Sequence, residues 1–594
     1  MRYNYKINKI NSRHSNTGWP KNASIGLPAT LRRVTLIALI SFLLPFNPLS
    51  AQSKPVLGKL EPHGMVVCAR KEAAEIGADI LKKGGNAVDA AIAVQFALAV
   101  CYPEAGNIGG GGFMVFRSKD GSTSALDFRE KAPIKSTRDM YLDGKNAVVD
   151  DLSVYGILAC GVPGTVDGMI AAHDKYGHLP MREIMEPAIL LAEMGFSLTS
   201  RQAESFNYHR DRFIRINGMD CPLVKTGNWV AGDTLRLPKL AETLRRIQRL
   251  GRDGFYAGVT AQAILDRVKH DKGLISSDDL SGYKAIWRKP IAFNYKSFRI
   301  ISMPPPSSGG IALQQLFGMI EPYPIESWGW NSAKTAQLIT ETERRVYADR
   351  ATYLGDPDFV KVPVNALTDP VYLKRRMSTF SMDKASASDS IKAGQVTGFS
   401  ESEETTHFSV VDGEGNAVAI TTTLNGAYGS LVFITEAGFF LNNQMDDFSI
   451  KPGYPNMYGL VGGDANAVAP GKRMLSSMTP AIVEKNHKLL MVVGSPGGST
   501  IITTVFQVIL NVADFQMTMQ EAVNAGRFHH QWLPDQIDIE QNTFSASVLS
   551  RLHSLGYKTR EREAIGRVDA IRVMAGGSLE GAPDGRGDDA AAGY

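Results

Sequence analysis

A threonine at the start of a short β-type run is the residue of this sequence best suited to covalent chemistry. Thr405 opens a run that continues to Asp412, a turn follows at 413–416, and a second run extends over 417–423. This pattern predicts a β-hairpin with Thr405 at one end. If the backbone is cut before Thr405, its new α-amine can act as the base that activates its own hydroxyl. The functional prediction therefore depends on self-cleavage immediately before this threonine.

A second chemical feature is a glycine pair between a predicted strand and a predicted helix. The apolar run 489–494 predicts a buried strand, Gly497 and Gly498 follow, and 501–512 predicts a helix. Backbone N–H groups at the start of a helix have no partner within it, and glycines let a substrate approach them closely. Such donors can stabilise the oxyanion of a tetrahedral intermediate. A tight turn that binds no ligand is the alternative, and the pattern alone favours neither.

A third group of side chains suits the charged head group of an amino acid. An arginine and two serines can donate to a carboxylate, namely Arg129, Ser476 and Ser477. Three further residues can accept from an ammonium group, namely Asn425, Gln444 and Asp447. Taken one at a time, residues of these types are more often structural, so the prediction rests on their combination.

Composition and the N-terminal region exclude one class of partner and indicate export. The 594 residues carry a net charge of only +4 and the basic residues are scattered, which argues against nucleic-acid binding. Arg32 and Arg33 precede an apolar run at 34–44, and small residues follow at 49–51. This run is too short for a membrane span, which needs about 20 residues. Residues 1–51 are therefore predicted to be a secretory signal peptide, with an uncleaved membrane anchor as the alternative.

Other residues with chemical potential are predicted to be structural. The four cysteines form no C-x-x-C pair, so buried free thiols are expected. The glycines at 106–112 precede a strand instead of following one, which argues against a phosphate-binding loop. His529 and His530 are adjacent, and adjacent side chains diverge in a helix or strand, so packing is predicted in place of a metal site.

The order of elements favours a mixed fold. Strands and helices follow one another without regular βαβ units, which indicates an α+β or layered α/β fold instead of a doubly wound sheet. Asn86 is predicted to cap a helix at 87–100 that is apolar nearly all round and therefore buried.

Long segments of the sequence resemble γ-glutamyltransferases of the bacterial periplasmic type. They cover nearly all of the chain after residue 51 and comprise 63–67, 84–91, 106–113, 127–130, 161–165, 304–310, 405–407, 442–447, 475–478, 494–498, 527–532 and 592–594. The resemblance implies the α+β fold of N-terminal nucleophile hydrolases, a four-layer αββα sandwich. It also implies cleavage between Glu404 and Thr405. The products would be a large subunit, 52–404, and a small subunit, 405–594, that together form one domain.

The resemblance also implies a role for each candidate residue. Thr405 would attack the γ-glutamyl amide of glutathione, Thr423 would hydrogen-bond to it, and Tyr458 would belong to a lid loop at 452–473. The substrate's α-carboxylate would be bound by Arg129, Ser476 and Ser477. Its α-amine would be bound by Asn425, Gln444 and Asp447. The oxyanion hole would be formed by Gly497 and Gly498. Water, an amino acid or a dipeptide would then accept the γ-glutamyl group, in the periplasm, without cofactor, metal or stable membrane insertion.

Three departures from the family pattern and two other functions stay open. Glu404 stands where some relatives carry glutamine, the segment 426–430 beside Asn425 differs, and the glycine-rich tail at 583–589 is also altered. A cephalosporin (glutaryl) acylase of the same fold would use the same nucleophile, although Arg129 and Asp447 suit an α-amino acid better. A periplasmic amino-acid-binding protein that never cuts itself would use those two residues equally well.

Overall fold

The hairpin predicted around Thr405 is present in the structure. Its strands, Thr406–Val411 and Ala417–Thr423, pair antiparallel and are buried along their whole length. The Asp412 side chain holds the turn, because its Oδ1 accepts amide N–H groups from both sides of the turn. Local sequence therefore sets the register that places Thr405 at the start of a buried strand.

The computed structural model describes residues 55–391 and 405–594, and these belong to one compact unit. The predicted signal peptide, 1–51, and Glu404 lie outside the described residues. Within the described ranges, every helix is too short or too polar to cross a membrane.

The elements are numbered in chain order. The strands are β1 Lys59–Glu61, β2 Met65–Cys68, β3 Gly111–Arg117, β4 Thr123–Asp127, β5 Phe196–Ser197, β6 Thr234–Leu235, β7 Ile286–Arg288, β8 Ile291–Tyr295, β9 Phe298–Ser302, β10 Thr406–Val411, β11 Ala417–Thr423, β12 Phe433–Ile434, β13 Phe439–Phe440, β14 Ala481–Lys485, β15 Lys488–Val493, β16 Phe528–His529, β17 Ile537–Glu540, β18 Thr559–Arg562, β19 Ala570–Val573, β20 Leu579–Ala582 and β21 Ala590–Gly593. The α-helices are α1 Lys71–Lys82, α2 Ala87–Cys101, α3 Thr165–Tyr176, α4 Met181–Met194, α5 Ser200–Asn217, α6 Pro238–Leu250, α7 Asp253–Tyr256, α8 Gly258–His270, α9 Ser277–Gly282, α10 Gly309–Ile320, α11 Ile325–Trp328, α12 Ala333–Tyr353, α13 Val364–Leu367, α14 Pro370–Arg376, α15 Ile501–Ala513, α16 Met519–Asn524 and α17 Ala546–Ser554.

Two seven-stranded antiparallel sheets form the middle of the molecule. The first sheet has the strand order β21-β2-β10-β11-β3-β4-β7, and the second has the order β1-β20-β19-β15-β14-β9-β8. The β10–β11 hairpin lies at the centre of the first sheet, between β2 and β3. Strands from both sides of the predicted cleavage point therefore share one sheet.

Each sheet is covered by helices on its outer face, and the two inner faces pack together. In the hairpin, Phe408 and Ile420 belong to the apolar cluster formed with α1, α2 and α4, whereas Ala419 belongs to the cluster shared with the second sheet. This alternation follows from the two-residue period of a strand. Helices α10 and α15 pack together on the second sheet. The four-layer αββα sandwich confirms the predicted fold.

Helix α2 is buried over its full length, as its apolar sequence predicts. Its start is fixed by Asn86, whose Oδ1 accepts the amide N–H groups of Val88 and Asp89 at 2.9 and 3.0 Å. The helix packs beneath β10 and β11. Burial of each large apolar side chain contributes roughly 1.5–3 kcal/mol. This packing gives the hairpin a rigid base.

Candidate active site

Thr405 immediately precedes β10 and faces the end of β11. It is 5% exposed, and its Oγ1 lies 3.3 Å from the Oγ1 of Thr423. The Thr423 Oγ1 accepts the amide N–H of Asn425 at 2.8 Å. Asn425 has a φ of 81°, so the chain turns sharply after β11. The two threonine hydroxyls therefore lie within hydrogen-bonding reach, and the backbone turn orients the second one.

The predicted glycine pair follows β15 and leads into α15. Gly497 and Gly498 have φ values of 129° and 49°, in the region that favours glycine. A Cβ atom on Gly498 would lie 2.5 Å from Cδ1 of Tyr458. The turn belongs to the N-terminal end of a helix, where backbone N–H groups favour anions. Both the conformation and the close ring contact therefore require glycine here.

All but one of the described residues predicted for the site line one small pocket, which we call the inner pocket. Its volume is about 20 Å³. The predicted residues that line it are Thr405, Thr423, Gly498, Arg129, Asn425, Gln444, Asp447, Tyr458, Ser476 and Ser477, together with the apolar Leu460, Met478 and Ile501. The exception is Gly497, which lines a neighbouring cavity. The structure thus brings the residues together, and the roles assigned to them stay predictions.

Arg129 and Asp447 form an ion pair in the inner pocket. The Nε2 of Gln444 donates to Asp447 Oδ2 at 2.7 Å, and the Nδ2 of Asn456 donates to Oδ1 at 3.2 Å. Two buried atoms have no hydrogen-bond partner among the described residues, the Nη1 of Arg129 and the Oε1 of Gln444. Buried polar atoms normally have partners. The pocket residues Arg129 and Gln444 thus each keep one buried polar atom without a hydrogen-bond partner in the described ranges, a donor and an acceptor respectively.

A buried arginine that the sequence analysis missed supports Ser477, one of the two site serines. Arg350, on α12, donates from Nη2 to the Oγ of Ser477 and from Nε to the Oγ of Ser308, both at 3.0 Å. Because Ser477 accepts this bond, its own O–H can donate toward the pocket. The Oγ of Ser476 accepts the amide N–H of Met478 at 3.1 Å. Both serine hydroxyls are thus oriented by bonds they accept.

Glu130 is the most unusual carboxyl group near the pocket. It is fully buried, and neither carboxyl oxygen has a hydrogen-bond partner among the described residues. Burial raises the pKa of Glu130 to about 7, against the attraction of Arg129, whose Nη1 lies 3.7 Å from Oε2. The carboxyl also lies against Gly111, which pairs with Thr423 in the first sheet. A group that titrates near neutral pH therefore adjoins the predicted carboxylate-binding arginine.

The segment predicted to be a lid, 452–473, lies over the inner pocket. The Tyr458 hydroxyl donates to the backbone oxygen of Asn425 at 2.5 Å. Asp446 holds the same segment, since its Oδ2 accepts the amide N–H of Met457 at 2.8 Å. Burial raises the pKa of Asp446 to about 6. The segment is thus tied to Asn425 of the pocket wall and to Asp446, which precedes Asp447 of that wall.

A second cavity, of about 290 Å³, adjoins the inner pocket, and we call it the outer cavity. Thr405 lines both spaces, whereas Gly498 lines the inner and Gly497 the outer. The other residues of the outer cavity are Tyr102, Glu104, Arg201, Gln202, Ser205, Pro496, Ala564, Gly566, Arg567, Arg586, Gly587 and Asp588. The threonine and the glycine turn therefore lie where two spaces meet.

The histidines and cysteines have structural surroundings. The Nδ1 of His529 lies 2.8 Å from the Oγ1 of Thr503, and burial lowers the pKa of His530 to about 4. The four cysteines are buried and free, which confirms that prediction. In the part of the chain that the structure describes, no group of three His, Cys, Asp or Glu side chains could hold a metal ion.

Comparisons with known proteins agree with the fold and with the motifs. A family model described as gamma-glutamyltranspeptidase matches residues 73–594. The glutathione hydrolase proenzyme of Escherichia coli (strain K12) is 46% identical over 579 residues, which cover 96% of this chain and 100% of that protein.

Solved structures extend the likeness. A cephalosporin acylase from Bacillus halodurans has a TM-score of 0.80 at 25% identity, covering 93% of this chain and 99% of that chain. The gamma-glutamyltranspeptidase of Helicobacter pylori has a TM-score of 0.54 at 42% identity, covering 58% of this chain and 96% of that chain. Since the family model spans nearly all the described residues, this chain belongs to the gamma-glutamyltranspeptidase family.

Proposed function

We propose that this protein is a self-cleaving γ-glutamyltransferase that acts on glutathione and related γ-glutamyl compounds. The single observation that carries the proposal is the convergence of Thr405 and the amino-acid-binding groups on one pocket. The Escherichia coli relative is described as a glutathione hydrolase proenzyme, which supports both the substrate and a cleavage step. The family indicates an enzyme, so the alternative of a binding protein is set aside.

The proposed cleavage falls between Glu404 and Thr405 and gives a large subunit, 52–404, and a small subunit, 405–594. It creates a free α-amine on the residue that carries the nucleophilic hydroxyl. An α-amine has an ordinary pKa of about 7.7–8.0, so a useful fraction is unprotonated near neutral pH. Amine and hydroxyl share one residue, so the base is positioned almost as in an intramolecular reaction.

In the first chemical step, the Thr405 hydroxyl attacks the γ-glutamyl carbonyl carbon while the α-amine takes its proton. The Thr423 hydroxyl, 3.3 Å away, can stabilise the attacking oxygen. The carbonyl oxygen becomes negative in the tetrahedral intermediate, and the N–H groups at Gly497 and Gly498 would stabilise it. The amide C–N bond then breaks, the amine leaves with a proton, and a γ-glutamyl ester on Thr405 remains.

Substrate selection follows from the charges of the inner pocket. A glutamyl head group is zwitterionic, and Arg129 and Asp447 present the opposite charge to each end. The carboxylate would be held by Arg129, Ser476 and Ser477. The ammonium group would be held by Asn425, Gln444 and Asp447. Tyr458 would close the pocket over the bound group.

In the second step, water or the amine of an amino acid or dipeptide attacks the ester. Attack by water completes hydrolysis, and attack by an amine transfers the γ-glutamyl group. Because the donor's amine leaves before the acceptor reacts, ping-pong kinetics are expected. No step in this sequence uses a cofactor.

The similarity to a cephalosporin acylase supports a second candidate, a glutaryl acylase of the same fold. A glutaryl group is the γ-glutamyl group without its α-amine, so Asp447 would face no cation. The two are distinguished with p-nitroanilides of γ-glutamate and of glutarate. A γ-glutamyltransferase is expected to prefer the first by at least about 10-fold, the value of one charged hydrogen bond. Equal rates, or faster glutaryl cleavage, would favour the acylase.

We also propose export to the periplasm directed by residues 1–51, on the strength of the N-terminal sequence pattern. Sequencing the N-terminus of the protein recovered from a periplasmic fraction would test it. A start near Gln52 supports export, and an intact N-terminus in the membrane fraction supports the uncleaved anchor.

Thr405→Ala tests the central proposal. Wild type should give two bands on a denaturing gel, with the small fragment starting at Thr405. The variant should give one uncut band and release no p-nitroaniline from the γ-glutamyl anilide. Normal cutting of the variant, or an active wild type that is uncut across 404–405 by mass spectrometry, would refute it.

A further inference from the structure

We propose that the outer cavity is the subsite for the leaving amine and the acceptor, and that Arg567 there binds the terminal carboxylate of a dipeptide. This inference rests on the proposed function, which places the ester on Thr405. The inner pocket would hold the γ-glutamyl side of the scissile bond. Thr405 also lines the outer cavity, so the amine side of the same bond extends there.

The wall that carries Arg567 is fixed to the glycine turn. The amide N–H of Arg567 donates to the Oγ of Ser495 at 2.9 Å. Gly566, with a φ of 66°, packs so closely that a Cβ on Gly497 would lie 3.1 Å from its Cα. A group bound by Arg567 is therefore held in a constant position relative to the predicted oxyanion hole.

The Arg567 guanidinium is itself held in place from the protein side. Its Nε lies 3.1 Å from the Oδ1 of Asp589, and it stacks over the ring of Tyr102 at 5.1 Å from the centroid. The side chain is 17% exposed. An arginine fixed in this way loses little freedom when it binds a carboxylate. Its Nε and Nη2 are buried, so the contact would be made by Nη1.

The acidic groups nearest Arg567 do not fully offset its positive charge. Burial raises the pKa values of both Asp569 and Asp589; the charge of Asp589 adds to the rise at Asp569, and the charge of Asp584 adds to the rise at Asp589. The pair therefore carries less than two negative charges near neutral pH. Arg201, at the cavity rim and 62% exposed, is another cation of the cavity, and its Nε lies 3.7 Å from the Oδ1 of Asp588.

The acidic side chains of the cavity are already engaged by the protein. Glu104 accepts the hydroxyl of Ser205 at 3.0 Å. Asp588 accepts the hydroxyl of Thr199 at 2.6 Å and lies 3.6 Å from Arg70. The cavity's volume, about 290 Å³, is at the lower limit of ligand pockets, which hold about 300–1,000 Å³. Size and charge together suit a dipeptide with a free carboxyl end.

The transfer step balances without another reactant. The acceptor's neutral amine nitrogen forms a C–N bond to the ester carbonyl carbon, and the C–O bond to Thr405 breaks. The proton lost by the amine passes through the Thr405 α-amine to the departing Oγ1. The acceptor's carboxylate takes no part in bond making, so its contribution is to position the amine.

The test compares two acceptors that differ only at the carboxyl end, glycylglycine and glycylglycinamide. The donor is γ-glutamyl-p-nitroanilide, and each acceptor is used at an equal concentration of free amine. For wild type, kcat/KM should favour glycylglycine about 10- to 100-fold, the value of a charge-assisted hydrogen bond. In Arg567→Gln this ratio should fall to near 1, and in Arg567→Lys it should be intermediate. The matched control is Arg551→Gln, an exposed arginine of α17 that should keep the wild-type ratio.

The ratio of the two kcat/KM values separates a binding role from a structural one, because a damaged fold lowers kcat/KM for both acceptors equally. A wild-type ratio near 1 overturns the proposal even if Arg567→Gln fails to fold, and so does a ratio that Arg567→Gln leaves unchanged. Failure of the proposed function looks different, since cleaved wild type would then release no p-nitroaniline from the donor. If p-nitroaniline is released but kcat/KM does not depend on the acceptor's carboxylate, this inference fails and the proposed function stands.

Discussion

Replacing Glu130 by glutamine should stabilise the protein at alkaline pH. Glutamine has nearly the same shape but no charge, and the Glu130 carboxylate is buried without a hydrogen-bond partner among the described residues. Burial raises its pKa from 4.5 to about 7. The folded protein therefore keeps a proton that the unfolded chain releases at a lower pH.

The sign and size of the effect follow from this difference. Between about pH 4.5 and 7, the folded state binds more protons than the unfolded state, so Glu130 destabilises the fold increasingly as pH rises. Each pKa unit corresponds to about 1.36 kcal/mol, so the full cost above pH 7 is about 3 kcal/mol. For a unit of this length the unfolding entropy is about 1 kcal/mol per kelvin, so this cost corresponds to a Tm lower by about 3 °C.

The measurement is thermal unfolding of Glu130→Gln against its parent at pH 5 and pH 8. Both chains should also carry Thr405→Ala, so that each unfolds as one uncut chain. The difference in Tm should be small at pH 5 and about 3 °C in favour of the variant at pH 8. Glu204→Gln, at an exposed position on α5, is the matched control and should show no such trend. A variant less stable than its parent at pH 8, or a difference that does not grow with pH, would refute the reasoning.

Two further predictions concern the inner pocket. Asp447→Asn should lower kcat/KM for the γ-glutamyl donor about 10- to 100-fold, because it removes the anion for the substrate's amine. Asp211→Asn, at an exposed ion pair, should not, and equal losses would contradict the assignment. Gly498→Ala should lower kcat about 100-fold or more by displacing an oxyanion donor against Tyr458. Gly577→Ala shares a positive φ but meets open space, so it should cost only about 1–2 kcal/mol of stability. Comparable kcat values for the two alanine variants would remove Gly498 from the oxyanion hole.

Features set by neighbouring residues could be predicted from the sequence. The hairpin follows from two β-type runs on either side of a turn. The start of α2 follows from Asn86, whose side chain caps the helix. The turn at 497–498 could also be predicted locally, because its two adjacent glycines adopt positive φ values. Residue types and family motifs grouped Arg129 with Asp447, 318 positions apart, because no local pattern encodes such a distance.

Features created by tertiary packing could not be predicted. Arg350 lies on α12, whose charged residues suggest a solvated surface, yet the helix is buried almost throughout. Many charged residues in one long helix can indicate buried ion pairs as well as a solvated face. Only the fold shows that Arg350 reaches Ser477. The direct Arg129–Asp447 ion pair and the raised pKa of Glu130 likewise depend on how completely water is excluded.

The position of the hairpin explains how a chain could cut itself without losing its site. Strand β10 is paired on one side with β2 and on the other with β11, so its place in the sheet does not depend on the bond before Thr405. Thr423, at the end of β11, is fixed in register with Gly111 of β3. Cleavage would therefore change the chemistry of one residue, adding a base to Thr405, while the strands that hold both threonines stay paired. A nucleophile in a loop would gain the same amine, but it would lose the fixed distance to its partner.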